Sequence, residues 1–183
     1  RQTKDKYTDT ATSGFISISA DESFRRIVQQ EIDVFESIYT MAGIDPIYAS
    51  EVDAINLLLK DSVRLTVSTR RLTDAEKAGL EEKKFFPKEF KVASDAIALI
   101  VNRQNPDSII SLKDLSRILT GEVTEWSELY PGSKLGKLQL VFDNPNSSTV
   151  RYAIDSICRG RPLAGSLHAQ KSNAEVIDFV SQS

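Results

Sequence analysis

The sequence is poor in the residues that most often carry chemistry. Among 183 residues it has one cysteine, Cys158, one histidine, His168, one methionine and one tryptophan. A lone cysteine excludes an intramolecular disulfide framework and leaves the redox compartment open, so Cys158 is expected to serve as a small buried apolar residue. A lone histidine excludes a multi-histidine metal site, and His168, followed by Ala169 and Gln170 in what reads as a loop, is not set in a nucleophile-base arrangement. No GxSxG, no glycine-rich phosphate loop ending in Lys-Ser/Thr and no HExxH occurs. No run approaches the ~18 apolar residues of a membrane span, and no apolar h-region follows Arg1. There is no excess of basic charge either. Lysine and arginine number 23 against 26 acids, a net charge of -3. Nucleic acid is therefore not an expected partner, and a bound anion would have to be held by local donors rather than by a global field.

What is present is an ordinary folding composition, with 40% hydrophobic and 27% charged residues. The length suits one ample core or two small lobes. Residues 1–13 are polar, charged and without apolar periodicity, and read as a flexible leader or tether. From Gly14 the pattern changes. FISIS at 15–19 alternates as a strand, and 21–39 places Phe24, Ile27, Val28, Ile32, Phe35 and Ile38 on a helical stripe. PIYAS at 46–50 precedes a helix over VDAINLLLKD, and RLTVS at 64–68 precedes one opened by Thr73-Asp74-Ala75-Glu76, a capping box. Strands alternating with helices predict a parallel sheet. Residues 92–102 read as a strand passing from one lobe to the next. A capped helix follows at 111–121, then a strand at 137–143, a helix from Asn146-Ser147 through Ile157, and a last helix from Asn173.

In such folds ligands bind beyond the carboxyl ends of strands, where helix starts present unpaired N–H groups. Four strand-to-helix junctions here carry small hydroxyl residues: 20–24, 50–53, 68–73 and 146–149. Serine, threonine, aspartate and asparagine are also the usual N-caps, so each junction alone has a purely structural explanation. Asp21, Glu22, Asp74 and Glu76 fall in first helical turns, where the helix dipole accounts for them. Arg70-Arg71 follows a strand end and is open to two roles, a surface salt bridge or an oxyanion clamp.

The segment AIALIVNRQNPDSIISLKDLSRILTGEVTEWSEL resembles the crossing strand, the turn and the helix followed by G-x-x-x-x-W of the substrate-binding proteins of phosphate ABC transporters. VSTRRLTDAE is similar to that family's strand-end motif, and VFDNPNSSTVRYAI to its loop-to-helix motif R-x-D-G-S-G-T. The resemblance spans about residues 14–183. It implies an α/β, two-lobed type II periplasmic-binding-protein fold, shortened at the C-terminus, with lobe I over 14–91 and lobe II over 92–183. A ligand cleft between the lobes would close by a hinge near 93–95. By position Ser147, Ser148 and Thr149 take the places of the family's Ser, Gly and Thr, while Asp143 stands where it has Arg, Asn146 where it has Gly, and Thr69 where it has an Asp that accepts a proton from phosphate. The implied ligand contacts are Ser23, Phe24, Ser50, Ser68, Thr69, Arg70, Ser147, Ser148 and Thr149. The implied function is capture of an oxyanion, foremost inorganic phosphate, for an ABC transporter permease, outside the cytoplasmic membrane, with residues 1–13 as a lipid-anchored tether. No cofactor, metal or catalysis is expected. A sensory or adhesion module that keeps the fold without tight anion binding is the alternative, and an α/β enzyme is disfavoured because one His and one Cys assemble no nucleophile-base pair.

Overall fold

The computed structural model describes residues 9–107, 109–165 and 167–182, so residues 1–8 of the expected leader lie outside it. The chain divides into two compact units, one ending at Asp95 and the other beginning at Ala96.

The first unit is built on strand β1 (Ser13–Asp21), which lies between β2 (Met41–Ala49) and β3 (Leu65–Val67) in a parallel sheet of order β2-β1-β3. The end of β1 is Ile18, Ser19, Ala20 and Asp21, all buried, as a strand covered on both faces requires. β2 runs further back than the expected 46–50 because its pairing with β1 is continuous from Met41 to Ala49. Pro46, which reads locally as a breaker, is tolerated because β2 is an edge strand in this sheet.

A single 3-10 turn at Glu22–Phe24 leads into helix α1 (Arg25–Ile38). Arg25 makes a two-pronged ion pair with Glu22 (2.7 and 2.8 Å) and lies 4.3 Å over the Tyr48 ring. Of the predicted apolar stripe, Ile32 is buried, while Ile27 and Ile38 are 63% and 65% exposed. At roughly 100° per residue, Val28, Ile32 and Phe35 share one direction, and Ile27 and Ile38 point well to one side of it. Helix α2 (Glu51–Leu59) is capped by Ser50 and buries Ala54 and Ile55. The Ser19 hydroxyl ties three elements, lying 2.8 Å from the Ala54 carbonyl and 2.9 Å from Thr66 Oγ1. Helix α3 (Asp74–Glu82) opens with both arms of the expected Thr73/Glu76 capping box. Ile55, Leu72 and Leu80 form the core beneath α2 and α3.

The strand expected at 92–102 is not formed. Val92 and Leu99 are 88% and 56% exposed, and among the described residues no strand pairs with this stretch. Apolar content alone does not make a strand, because its backbone groups must be paired along a ladder.

In the second unit Ser111 caps helix α4 (Leu112–Leu119). Gly121 follows at φ +79°, the left-handed conformation that closes a helix and that glycine adopts without strain. Strand β4 (Leu140–Phe142) pairs in parallel with β5 (Leu167–Ala169), which places His168 in a strand rather than in the expected loop. The imidazole stacks on Phe179 of the last helix, α6 (Asn173–Gln182), at 5.6 Å. Helix α5 (Ser148–Tyr152) passes into a wider π turn over Ala153–Ile157. Leu115, Leu119, Ala153 and Cys158 form the core here, with Cys158 fully buried.

Candidate functional site

Parallel pairing brings the carboxyl ends of three strands level. Asp21 lies opposite Ala49 and Ala20 opposite Val67, so the junctions after β1, β2 and β3 emerge side by side. This is the edge of an open α/β sheet at which ligands are bound. Ser23 and Phe24 follow β1, Ser50 follows β2, and Ser68, Thr69 and Arg70 follow β3. The structure therefore brings these six together on the first unit, and places Ser147, Ser148 and Thr149 on the second, at the start of α5.

Most of these groups already have local work. The Ser23 N–H donates to Asp21 Oδ1 at 2.9 Å. Ser50 Oγ accepts from the Asp53 N–H and donates to Asp53 Oδ2 (3.2 and 2.7 Å), a side-chain cap on α2. Ser68 Oγ donates to the Arg70 carbonyl at 2.7 Å. Ser147 caps α5 by accepting from the Val150 N–H at 3.2 Å and is buried beside Ser148.

Arg70 takes the salt-bridge role of the two open to it. Its terminal nitrogens donate to both Glu76 oxygens at 2.8 and 2.7 Å, and its Nε lies 4.0 Å from Glu51 Oε2. The paired guanidinium, followed by the Thr73 donors, holds the Glu76 carboxyl down at about 2. The same hydrogen bond to Glu76 raises the Arg70 pKa.

Two acids that sequence reasoning assigned to first helical turns or passed over are buried at this edge. Glu51 is 1% exposed, and its Oε1 accepts the Thr69 N–H at 3.2 Å and the Thr69 hydroxyl. Asp21 is 2% exposed, and its Oδ2 has no hydrogen-bond partner among the described residues. On the second unit Asp143, just past β4, is 6% exposed and its Oδ1 is likewise without a partner. Nothing local marks Glu51, since an acid after a capping serine is ordinary. Asp143 is marked in the sequence, because it stands where the motif that the segment resembles has an arginine. No group of three or more His, Cys, Asp or Glu among the described residues is arranged to hold a metal ion.

Comparison with known proteins adds the family. A family model described as the PBP superfamily domain matches residues 5–174. The phosphate-binding protein PstS of Staphylococcus haemolyticus is 30% identical over 118 residues, which is 62% of this chain and 32% of that protein. PstS of Pseudomonas aeruginosa is 24% identical over 188 residues, 95% of this chain and 57% of its own. The chain thus spans between about a third and three-fifths of the length of these curated relatives. Among solved structures, a putative phosphate ABC transporter substrate-binding protein with bound phosphate from Clostridium perfringens superposes with a TM-score of 0.78 at 21% identity, over 91% of this chain and 66% of the other. An ABC-type phosphate transport receptor from Vibrio cholerae gives 0.68 at 21% identity, over 93% and 68%. These likenesses show the expected type II periplasmic-binding-protein fold. With that fold in place and the family model matching nearly the whole length, the chain belongs to the PBP superfamily.

Proposed function

We propose that this chain captures an oxyanion, foremost inorganic phosphate, as part of an extracytoplasmic solute-binding protein that hands its ligand to an ABC transporter permease. The observation that carries the reading is the level array of three strand ends in one parallel sheet, with Ser50, Ser68 and Thr69 at two of them, in a member of this superfamily. The relatives named as phosphate-binding proteins supply the choice of anion. The buried Ser147 and Ser148 at the start of α5 are the candidate contacts of the second unit.

The protein binds and does not catalyse. Cys158 is fully buried, and the exposed His168 stacks on Phe179, so the two are not paired as nucleophile and base. It acts outside the cytoplasmic membrane, and the residues ahead of β1, which begins at Ser13 rather than after the expected 1–13 leader, serve as a lipid-anchored tether. No helix among the described residues is long and apolar enough to cross a membrane. A sensory or adhesion module is the second reading. It is favoured by the acid-rich strand ends, where Asp21 and Glu51 are buried and Arg70 is already paired.

Isothermal titration of the folded chain with phosphate at pH 7 tests the choice, with Ser147→Ala alongside. Micromolar or tighter binding that weakens in the variant supports a phosphate receptor. No heat from protein shown to be folded removes the transport reading in favour of the second.

A further inference from the structure

We infer that the second unit receives an ammonium group on Asp143, so that the captured oxyanion carries an amine on a short chain, as aminoalkylphosphonates and aminoalkyl esters of phosphate do. This rests on the oxyanion reading above and names the chemical class of the ligand.

Asp143 is the first residue beyond β4. The Gln170 N–H donates to the Phe142 carbonyl at 2.8 Å, so the pairing of β4 with β5 continues to the carboxyl edge of the sheet, where open α/β folds bind ligands. The turn that follows is closed by its own bonds. Asn144 Oδ1 accepts the Asn146 N–H at 3.0 Å, and the Asn144 carbonyl accepts the Ser147 N–H at 3.1 Å. Asp143 is 6% exposed, and its Oδ1 has no hydrogen-bond partner among the described residues. The ion pairs there join Arg117 to Asp114, Arg151 to Asp155 and Arg161 to Glu122, and none of these includes it. Asp21, at the end of β1, is as deeply buried, but its Oδ1 accepts the Ser23 N–H and caps the turn after its strand, so a structural role accounts for it. No such role accounts for Asp143.

A buried carboxylate oxygen is an acceptor that is costly to leave unmatched, and charge decides what matches it. In the loop-to-helix motif that residues 141–154 resemble, this position holds arginine, so a positive charge has given way to a negative one. An O–H group of the oxyanion would meet the acceptor and bring more negative charge beside it. An ammonium brings N–H donors and the missing positive charge together. A short carbon spacer lets one molecule offer that ammonium to Asp143 and its oxyanion to the hydroxyl donors proposed above. Phosphonates and phosphate esters share this chemistry, and separate titrations tell them apart.

The test is calorimetric titration of the folded chain, and of Asp143→Asn and Asp143→Arg, with thermal melts as the folding control. The ligands are aminoethylphosphonate, phosphoethanolamine, inorganic phosphate and propylphosphonate, in which a methyl group stands in place of the ammonium. The native chain is expected to bind all of them, and aminoethylphosphonate about tenfold more tightly than propylphosphonate, the scale of one hydrogen bond to a charged partner. Tighter binding of phosphoethanolamine than of aminoethylphosphonate would assign the ligand to the esters, and the reverse order to the phosphonates. Asp143→Asn keeps the shape of the side chain and removes its charge, so it should lose the preference for the amine without weakening propylphosphonate. Asp143→Arg places a like charge against the ammonium and should reverse the preference. Equal affinities for aminoethylphosphonate and propylphosphonate in the native chain, or a preference that survives in either folded variant, would overturn the inference while leaving oxyanion capture intact. A native chain that binds none of the ligands ends the oxyanion reading and this inference together.

Discussion

Glu76 answers both to its own helix and to Arg70. Through its carboxylate it closes the capping box on Thr73, and it receives both terminal nitrogens of the Arg70 guanidinium. Its folded pKa of about 2 lies below the ordinary 4.5. A carboxylate depressed on folding contributes stability above its unfolded pKa and loses it as the pH falls through the folded value. The urea midpoint of the native chain should therefore decline between pH 4.5 and about 2, and Glu76→Gln should flatten that decline, as fluorescence-monitored unfolding at stepped pH will read. Equal slopes would show that the pair contributes nothing to acid sensitivity. The capping box was legible in the sequence because its members are three residues apart and local chemistry dictates both bonds. The Glu51–Thr69 bond was not, because 18 residues separate its members and only the placement of α2 against the end of β3 brings them together.

At the scale of elements, the same contrast governs α1. Apolar spacing correctly called for a helix, yet the stripe was drawn too wide. A helix resting on a three-stranded sheet buries a narrow face, here centred on Ile32. Ile32→Ala should cost about 2 to 4 kcal/mol, the usual loss for a truncated core isoleucine, whereas Ile27→Ala should stay within about 0.5 kcal/mol. Comparable losses at both positions, measured by denaturant unfolding, would mean that the outer face is covered in solution. β5 escaped notice because a strand of three residues, Leu167–Ala169, is specified by its pairing with β4 rather than by its own pattern. The stretch at 92–102 failed in the opposite direction, having the apolar pattern of a strand while pairing with no strand among the described residues.

Over the whole molecule, strand-helix alternation was enough to announce a parallel α/β architecture, because only helical crossovers return a chain to pair in parallel. The order β2-β1-β3 was not written in any one segment. It follows from where each apolar face finds cover. Between α3 and α4 the described residues form no helix or strand, and Lys83, Lys84, Lys88 and Lys91 are all exposed there. Limited trypsin digestion should cut first among these lysines, since an accessible, irregular backbone is what a protease requires. First cuts inside α2 or α4, located by mass spectrometry, would contradict this. The central position of β1 also dictates an order of events during synthesis. Ser19 is made early, but its partner Thr66 comes 47 residues later. A chain emerging from the ribosome carries its most buried strand with one ladder edge bare until β3 is made, and in that interval the edge is open to any other strand in the cell.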